Sequence, residues 1–213
     1  MRVHGSGRTD AGVHALGQVA HADVPRGKRA SATWFAALNA NLPPEIRVLR
    51  VMRVPGGRDG FHARYSATGK RYEYRVWNDA WLHPLEIGRA WHVPQPIEMA
   101  RLREAAARLV GRHDFAAFAA NRGQVEPDTV RTLTQVRVSQ RGPLIVFRFE
   151  GTGFLYKMVR LLTGTLVRIG QGKADLALVS ELLSSKGRKT NFAAPAEGLY
   201  LAKVFYGKRD RAD

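Results

Sequence analysis

A short loop near the amino terminus places a carboxylate beside a guanidinium between glycines, in the run Gly7-Arg8-Thr9-Asp10-Ala11-Gly12. A carboxylate of this kind can act as a covalent nucleophile towards a carbon of a sugar or a base. An aspartate in a glycine-rich loop can equally bond nearby backbone amides and stabilise a turn. From these residues alone, Asp10 is either a nucleophile or a structural turn residue.

The elements that must position this loop are strands mixed with helices. Residues Tyr72, Tyr74 and Val76 alternate with charged side chains and predict a strand. Similar patterns predict strands over 18–24, 46–54, 70–77, 130–139, 144–150 and 199–206, and helices over 32–40, 98–110, 154–169 and 176–183. Antiparallel hairpins combined with helices predict an α+β fold in which helices cover one face of a sheet.

Composition narrows the class of partner. The chain has 213 residues, of which 45% are hydrophobic, enough for a real core in one domain or two small ones. Its 34 Lys and Arg residues against 18 Asp and Glu give a net charge of +16, which favours nucleic acid as the partner.

Other classes of protein are disfavoured by what the sequence lacks. Without cysteine, the chain has no disulfide, thiol nucleophile or Cys-ligated zinc, and its His and acidic residues show no metal-ligand spacing. The apolar stretches are broken by Arg or Gly well before the roughly 20 residues that a transmembrane helix needs. The amino terminus has no apolar signal segment. We therefore expect a soluble protein with no metal, no export signal and no membrane partner.

The glycine-rich loop extends into a longer motif that resembles a known family. The run from Gly7 to Ala15, followed by 17–21, is similar to the signature loop of the tRNA pseudouridine synthase A family. The chain matches further motifs of that family in family order, at 39–43, 61–67, 70–74, 111–115, 154–160 and 194–199. The resemblance covers residues 5–206.

The resemblance implies a pseudouridine synthase fold with two ferredoxin-like antiparallel-sheet domains around a basic cleft. Residues 1–60 would form the amino-terminal domain that carries the catalytic loop, and residues 61–213 the second domain. The family pattern begins upstream with a further strand and helix, so the first domain is expected to be truncated here, as a fragment or through a misassigned start codon. Such a truncation would leave unpaired backbone and an uncovered apolar face.

The reaction implied by the resemblance detaches uracil from its ribose, rotates it and rejoins it through C5. Uridines of the tRNA anticodon stem-loop, at positions 38, 39 and 40, would become pseudouridine. No cofactor is implied. The family also implies a cytoplasmic homodimer whose two subunits share one tRNA surface.

Four residues receive roles from the resemblance. Asp10 would be the nucleophile, and Arg160 would pair with it and keep it ionised. Tyr72 would stack on the target base and assist removal of the C5 proton. Arg8 would fill the space that the flipped nucleotide leaves. Each has an ordinary alternative: a solvated helix residue for Arg160, core packing for Tyr72, and a phosphate contact or loop charge for Arg8.

Three histidines in the matched motifs, His14, His21 and His62, are expected to be hydrogen-bonded structural residues, because the implied reaction needs no imidazole acid. Two alternative functions stay open for the whole chain. One is a catalytically inactive, RNA-binding fragment of such an enzyme. The other is an unrelated hydrolase that uses Asp10, although no paired-carboxylate motif is evident.

Overall fold

A computed structural model describes residues 2–24, 30–56, 60–120, 123, 127–184 and 187–207. Its strands are β1 (Val3–Gly5), β2 (His14–Ala15), β3 (Ala20–Ala22), β4 (Gly69–Trp77), β5 (Trp91–His92), β6 (Gly111–Asp114), β7 (Val130–Arg141), β8 (Leu144–Gly151) and β9 (Leu199–Phe205). Its α-helices are α1 (Ser31–Asn41), α2 (Met99–Ala107), α3 (Met158–Gly170) and α4 (Ala177–Ser184). The predicted α+β class is confirmed.

The chain separates into two compact units. The smaller contains Met1–Ser6 and Val19–Ser66, and the larger contains Gly7–Gln18 and Ala67–Asp213. The glycine-rich loop therefore belongs with the larger unit. The domain boundary between residues 60 and 61 stays a prediction.

The smaller unit pairs β1 with β3 in antiparallel register and adds helix α1. In the described part of the chain, α1 buries none of its residues. The exposed apolar side chains of this unit are Val3, Val24, Phe35, Ile46, Leu49, Met52, Val54 and Tyr65. These residues are exposed one by one, and both the uncovered apolar face and the truncation stay predictions.

The strand predicted over 46–54 is wrong, since these residues form no strand in the structure. The backbone of Val48 bonds instead to the side chain of Asn39, whose Nδ2 donates to the Val48 oxygen at 3.0 Å. The Val48 amide donates in turn to the Asn39 Oδ1 at 2.8 Å. A side-chain amide therefore takes the place of a partner strand.

Three histidine rings cluster in the smaller unit. The ring centroids of His4 and His21 lie 5.0 Å apart, and those of His21 and His62 4.6 Å apart. His21 Nδ1 accepts from the Ala63 amide, and His62 Nδ1 from the Arg64 amide, both at 3.1 Å. Desolvation, followed by the charges of His21 and His4, lowers the pKa of His62. The structural roles predicted for His21 and His62 are confirmed by these bonds.

The larger unit is built on one sheet with the strand order β2-β9-β4-β8-β7-β6, and β5 pairs additionally with β4. Neighbouring strands of this sheet are antiparallel, except for the pairs β2–β9 and β4–β5, which are parallel. The core lies between this sheet and its helices, and it includes Tyr74, Val76, Phe147, Phe149 and Leu162. No helix in the described residues is long and apolar enough to cross a membrane.

Helix α3 begins four residues later than the predicted start at residue 154. Lys157, immediately before the helix, has a left-handed backbone with φ of 59°, which is costly for a side chain other than glycine. The helix then buries nearly its whole surface, and Gly164 allows another segment to approach: a Cβ at Gly164 would lie 1.7 Å from the Phe192 oxygen. Arg160 is thereby placed in the first turn of a buried helix.

Candidate active site

The loop that carries Asp10 is attached to strand β9. The amides of Leu16 and Gly17 both donate to the Leu201 oxygen, at 2.9 and 3.1 Å. Gly17 must be a glycine here, because a Cβ would lie 2.5 Å from the Ala202 oxygen. Since β9 neighbours β4 in the sheet, these bonds bring the loop beside the centre of the sheet.

A tight turn presents Asp10. Gly12 has a left-handed φ of 79°, and the Val13 amide donates to the Asp10 backbone oxygen at 3.0 Å. The Asp10 carboxylate makes no hydrogen bond and no ion pair with any described residue. The turn is therefore stabilised by backbone groups, and the carboxylate is available for chemistry.

Tyr72 lies on the central strand β4, where a β-bulge between Arg71 and Tyr72 shifts the pairing with β9. Its ring meets Phe154 edge to face, with centroids 4.9 Å apart. Burial, and then the negative charge of Asp10, raise the pKa of Tyr72 to about 12. This electrostatic effect shows that the fold brings together two predicted site residues that are distant in sequence.

Arg160 is fixed by the segment before β9. Its Nε donates to the Ala194 oxygen at 2.7 Å, and the Ala194 amide donates back to the Arg160 oxygen at 3.0 Å. Burial and the charge of Glu197 raise the pKa of Tyr74, and the charge of Arg160 opposes them. The described residues contain no ion pair between Arg160 and Asp10, so that pairing stays a prediction.

Arg8 is exposed next to the turn and makes no hydrogen bond or ion pair with a described residue. Its guanidinium is thus available to a ligand. Whether it fills the space of a flipped nucleotide or contacts a phosphate stays a prediction.

His14 is the histidine closest in sequence to Asp10, and it is a structural residue, as predicted. Its Nε2 bonds the Gly88 oxygen at 2.8 Å, and its ring stacks on Tyr200 with centroids 4.7 Å apart. The Arg75 guanidinium lies 4.2 Å from the centroid of the same Tyr200 ring. This stack strengthens the attachment of the loop to β9.

Two neighbours of the site were missed from the sequence. Phe154 supports the Tyr72 ring, and Lys70 approaches the loop so closely that a Cβ at Gly7 would lie 2.8 Å from its Nζ. Both lie within matched motifs, so the resemblance carried a signal for them. Among the described residues, no group of three or more His, Cys, Asp or Glu side chains is arranged to hold a metal ion.

Known proteins support the resemblance. The sequence profile of the tRNA pseudouridine synthase family matches residues 1–66 and 105–207. A tRNA pseudouridine synthase A of Akkermansia muciniphila is 46% identical over 221 residues, covering 100% of this chain and 82% of that protein. The protein of the same name from Geobacillus kaustophilus is 46% identical, with 97% of this chain and 78% of that protein covered. One from Staphylococcus aureus is 38% identical, with coverages of 99% and 78%.

The profile matches most of the chain in two segments, and the second of them spans α3 and β9, next to the candidate site. The first includes the loop around Asp10. The chain therefore belongs to the tRNA pseudouridine synthase family.

Proposed function

We propose that this protein isomerises uridine to pseudouridine in the anticodon stem-loop of tRNA, at positions 38, 39 and 40. Membership of the family supports the reaction and its tRNA substrate. The observation that carries the proposal is the attachment of the Asp10 loop to β9, which is the neighbour of the strand β4 that carries Tyr72. In this arrangement the charge of Asp10 contributes to the raised pKa of Tyr72.

The reaction begins at Asp10. Its carboxylate bonds to C1′ of the ribose as the bond between C1′ and N1 of uracil breaks, and N1 takes the electron pair of that bond. After the base has rotated, C5 attacks C1′ and displaces the Asp10 carboxylate, the C5 proton leaves and N1 gains a proton. The balance is an isomerisation without oxidation or loss of a group, so no cofactor is required.

Tyr72 handles the C5 proton. With a pKa raised to about 12, its hydroxyl stays protonated near neutral pH, and a standing phenolate is excluded. The phenol can take the C5 proton only while it passes its own proton on. The Asp10 carboxylate, whose charge acts on this phenol, is the acceptor that we propose.

The two arginines position the substrate. Arg160, held by Ala194, supplies positive charge to the site, and we propose that it pairs with Asp10 when the nucleotide is bound. The exposed Arg8 fills the space that the flipped nucleotide leaves in the stem. The proposal includes a homodimer acting in the cytoplasm, which rests on the family resemblance.

The test uses an unmodified tRNA transcript, from which nucleosides are separated by liquid chromatography and mass spectrometry after incubation with the protein. We expect pseudouridine to form. Primer extension after carbodiimide treatment then maps its positions in the transcript. The Asp10→Asn variant should bind the transcript without forming it. A chain that binds tRNA but forms no pseudouridine would support the alternative of an inactive RNA-binding fragment.

A further inference from the structure

A cavity of about 310 Å³ lies in the larger unit between β5, the carboxyl-terminal half of α3 and residues 192–194. Neither Asp10 nor Tyr72 lines it. Its volume falls at the lower end of the range for small-molecule sites, which is roughly 300–1,000 Å³. None of the described residues that line it is acidic. The cavity is therefore suited to an anionic ligand of modest size.

One basic side chain in this cavity has an unmet hydrogen-bonding requirement. The Nε of Arg168 is buried and finds no hydrogen-bond acceptor among the described residues. A buried donor without an acceptor is energetically unfavourable. Lys173, which is exposed at the same cavity, adds a second positive charge. An anionic ligand in the cavity would be attracted by both charges.

The rest of the wall is aromatic and amide-bearing. The rings of Trp91 and Phe192 line the cavity, and the Arg168 guanidinium lies 3.9 Å from the Phe192 centroid. Two amides, Gln95 and Gln171, meet at 3.4 Å, from the Gln171 Nε2 to the Gln95 Oε1. Flat rings and amides are the groups that stack on and hydrogen-bond a nucleobase.

The wall is held in place by the fold. Asn78 Nδ2 donates to the backbone oxygens of Val93, at 2.7 Å, and of Gln95, at 2.8 Å. On the opposite side, the absence of a side chain at Gly164 lets Phe192 pack directly on α3. The site is thus formed before any ligand binds, which lowers the entropic cost of binding.

We propose that this cavity binds one nucleotide of an RNA strand, with its phosphate on Arg168 and Lys173 and its base against the rings of Trp91 and Phe192. Arg168 follows Arg160 by eight residues on α3. At a rise of 1.5 Å per residue, this separation is about 12 Å along the helix. A strand that contacts Arg160 can therefore reach this cavity. That the strand belongs to tRNA rests on the proposed function.

The test measures quenching of Trp91 fluorescence by uridine 5′-monophosphate, with uridine and inorganic phosphate as separate ligands. We expect the monophosphate to bind more tightly than either part, and Trp91→Phe to remove the signal. Arg168→Met should weaken binding by at least about tenfold, since it removes a charge-assisted hydrogen bond. Lys173→Met, at an exposed position, should weaken it too and does not depend on the folding of the Arg168 variant.

The matched control is Arg101→Met. Arg101 also carries a buried Nε without a hydrogen bond to a described residue, but it does not line the cavity. Nucleotide binding should be unchanged in this variant. The inference would be overturned if Arg168→Met and Lys173→Met bound the monophosphate as tightly as the wild type does. It would also be overturned if inorganic phosphate alone quenched as strongly as the monophosphate.

The outcome is separable from that of the proposed function. Asp10→Asn should lose pseudouridine formation and keep the Trp91 quenching, whereas Arg168→Met should raise the KM for tRNA and keep kcat. An active Asp10→Asn variant would sink the proposed function and leave the cavity as a nucleotide site. Absence of quenching with an active wild-type protein would sink the cavity inference alone.

Discussion

Two side chains in the candidate site have opposite surroundings, and this contrast sets their roles. The Asp10 carboxylate is partly exposed and makes no hydrogen bond or ion pair with a described residue, so it is available as a nucleophile. The Tyr72 side chain is partly buried beside that charge, so its hydroxyl stays neutral near physiological pH. From the sequence, Tyr72 has both a core and a catalytic interpretation; the structure packs its ring against the core while Asp10 acts on its hydroxyl.

The hydroxyl of Tyr72 is tested by Tyr72→Phe, which keeps the ring and its contact with Phe154. We expect kcat for pseudouridine formation to fall by about 10²–10⁴, the usual contribution of a proton-transferring group, with little change in the KM for tRNA. Steady-state kinetics on a tRNA transcript measure both. Tyr65→Phe, at a side chain 77% exposed, serves as the control and should behave as wild type. Unchanged kcat in Tyr72→Phe would remove Tyr72 from the proton pathway.

Tyr72 also predicts how stability depends on pH. Its pKa is raised from 10.0 to about 12, so the folded state holds the proton more tightly than the unfolded state. The resulting stabilisation is complete below pH 10 and is lost as the pH rises through about 12, an effect on the order of 2–3 kcal/mol. The free energy of unfolding, measured with urea from about pH 9 to about pH 12, should decline less steeply in Tyr72→Phe than in the wild-type protein. An equally steep decline in that variant would contradict the pKa shift.

Among the secondary-structure elements, long periodic segments could be predicted from the sequence, whereas short or unpartnered segments could not. Strands β4, β7, β8 and β9 follow from alternation sustained over many residues. Strands β2 and β5 have two residues each and carry no pattern, although β2 attaches the Asp10 loop to β9. The run 46–54 alternates, but the backbone of Val48 bonds to the Asn39 side chain rather than to a strand. The loop was identified through its motif, because the residues alone favour a structural turn.

The attachment of the loop is tested by Gly17→Ala. The added Cβ would lie 2.5 Å from the Ala202 oxygen, which must displace the loop from β9. A displacement of about 1 Å at a catalytic group can cost about 10²-fold in rate, so we expect kcat to fall by that factor. Gly207→Ala is the matched control, since a Cβ there meets nothing within 4 Å. Retention of full activity in Gly17→Ala would show that this attachment does not position Asp10.

At the scale of the whole molecule, positive charge dominates. The net charge of +16 was sufficient to predict a nucleic-acid partner from composition. It could not show which basic side chains are already paired: Arg71 bonds Glu150 at 2.6 Å, and Arg148 bonds Glu73 at 2.9 Å, both across β4 and β8. Such cross-strand pairs depend on register, which only the structure reveals. The net positive charge of the chain would still attract phosphates.

Salt should therefore weaken substrate binding without affecting the chemical step. Binding that neutralises several phosphates releases counterions, and we expect the KM for tRNA to rise at least about a hundredfold between about 50 and 200 mM salt. The kcat should stay constant, since Asp10 and Tyr72 act on a nucleotide already bound. Kinetics across this range, with circular dichroism to verify folding, measure the effect. A KM independent of salt would contradict electrostatic recognition of the RNA backbone.

We propose that Asp10 drives a reaction in which uridine loses the hydrogen on C5. Release of tritium from tRNA labelled at uridine C5 measures that event directly, because neither a hydrolase nor an inactive RNA-binding protein produces it. We expect release by the wild-type protein and by Asp79→Asn, which changes an exposed carboxylate, and none above background by Asp10→Asn. Release by Asp10→Asn equal to that of Asp79→Asn would rule out Asp10 as the nucleophile.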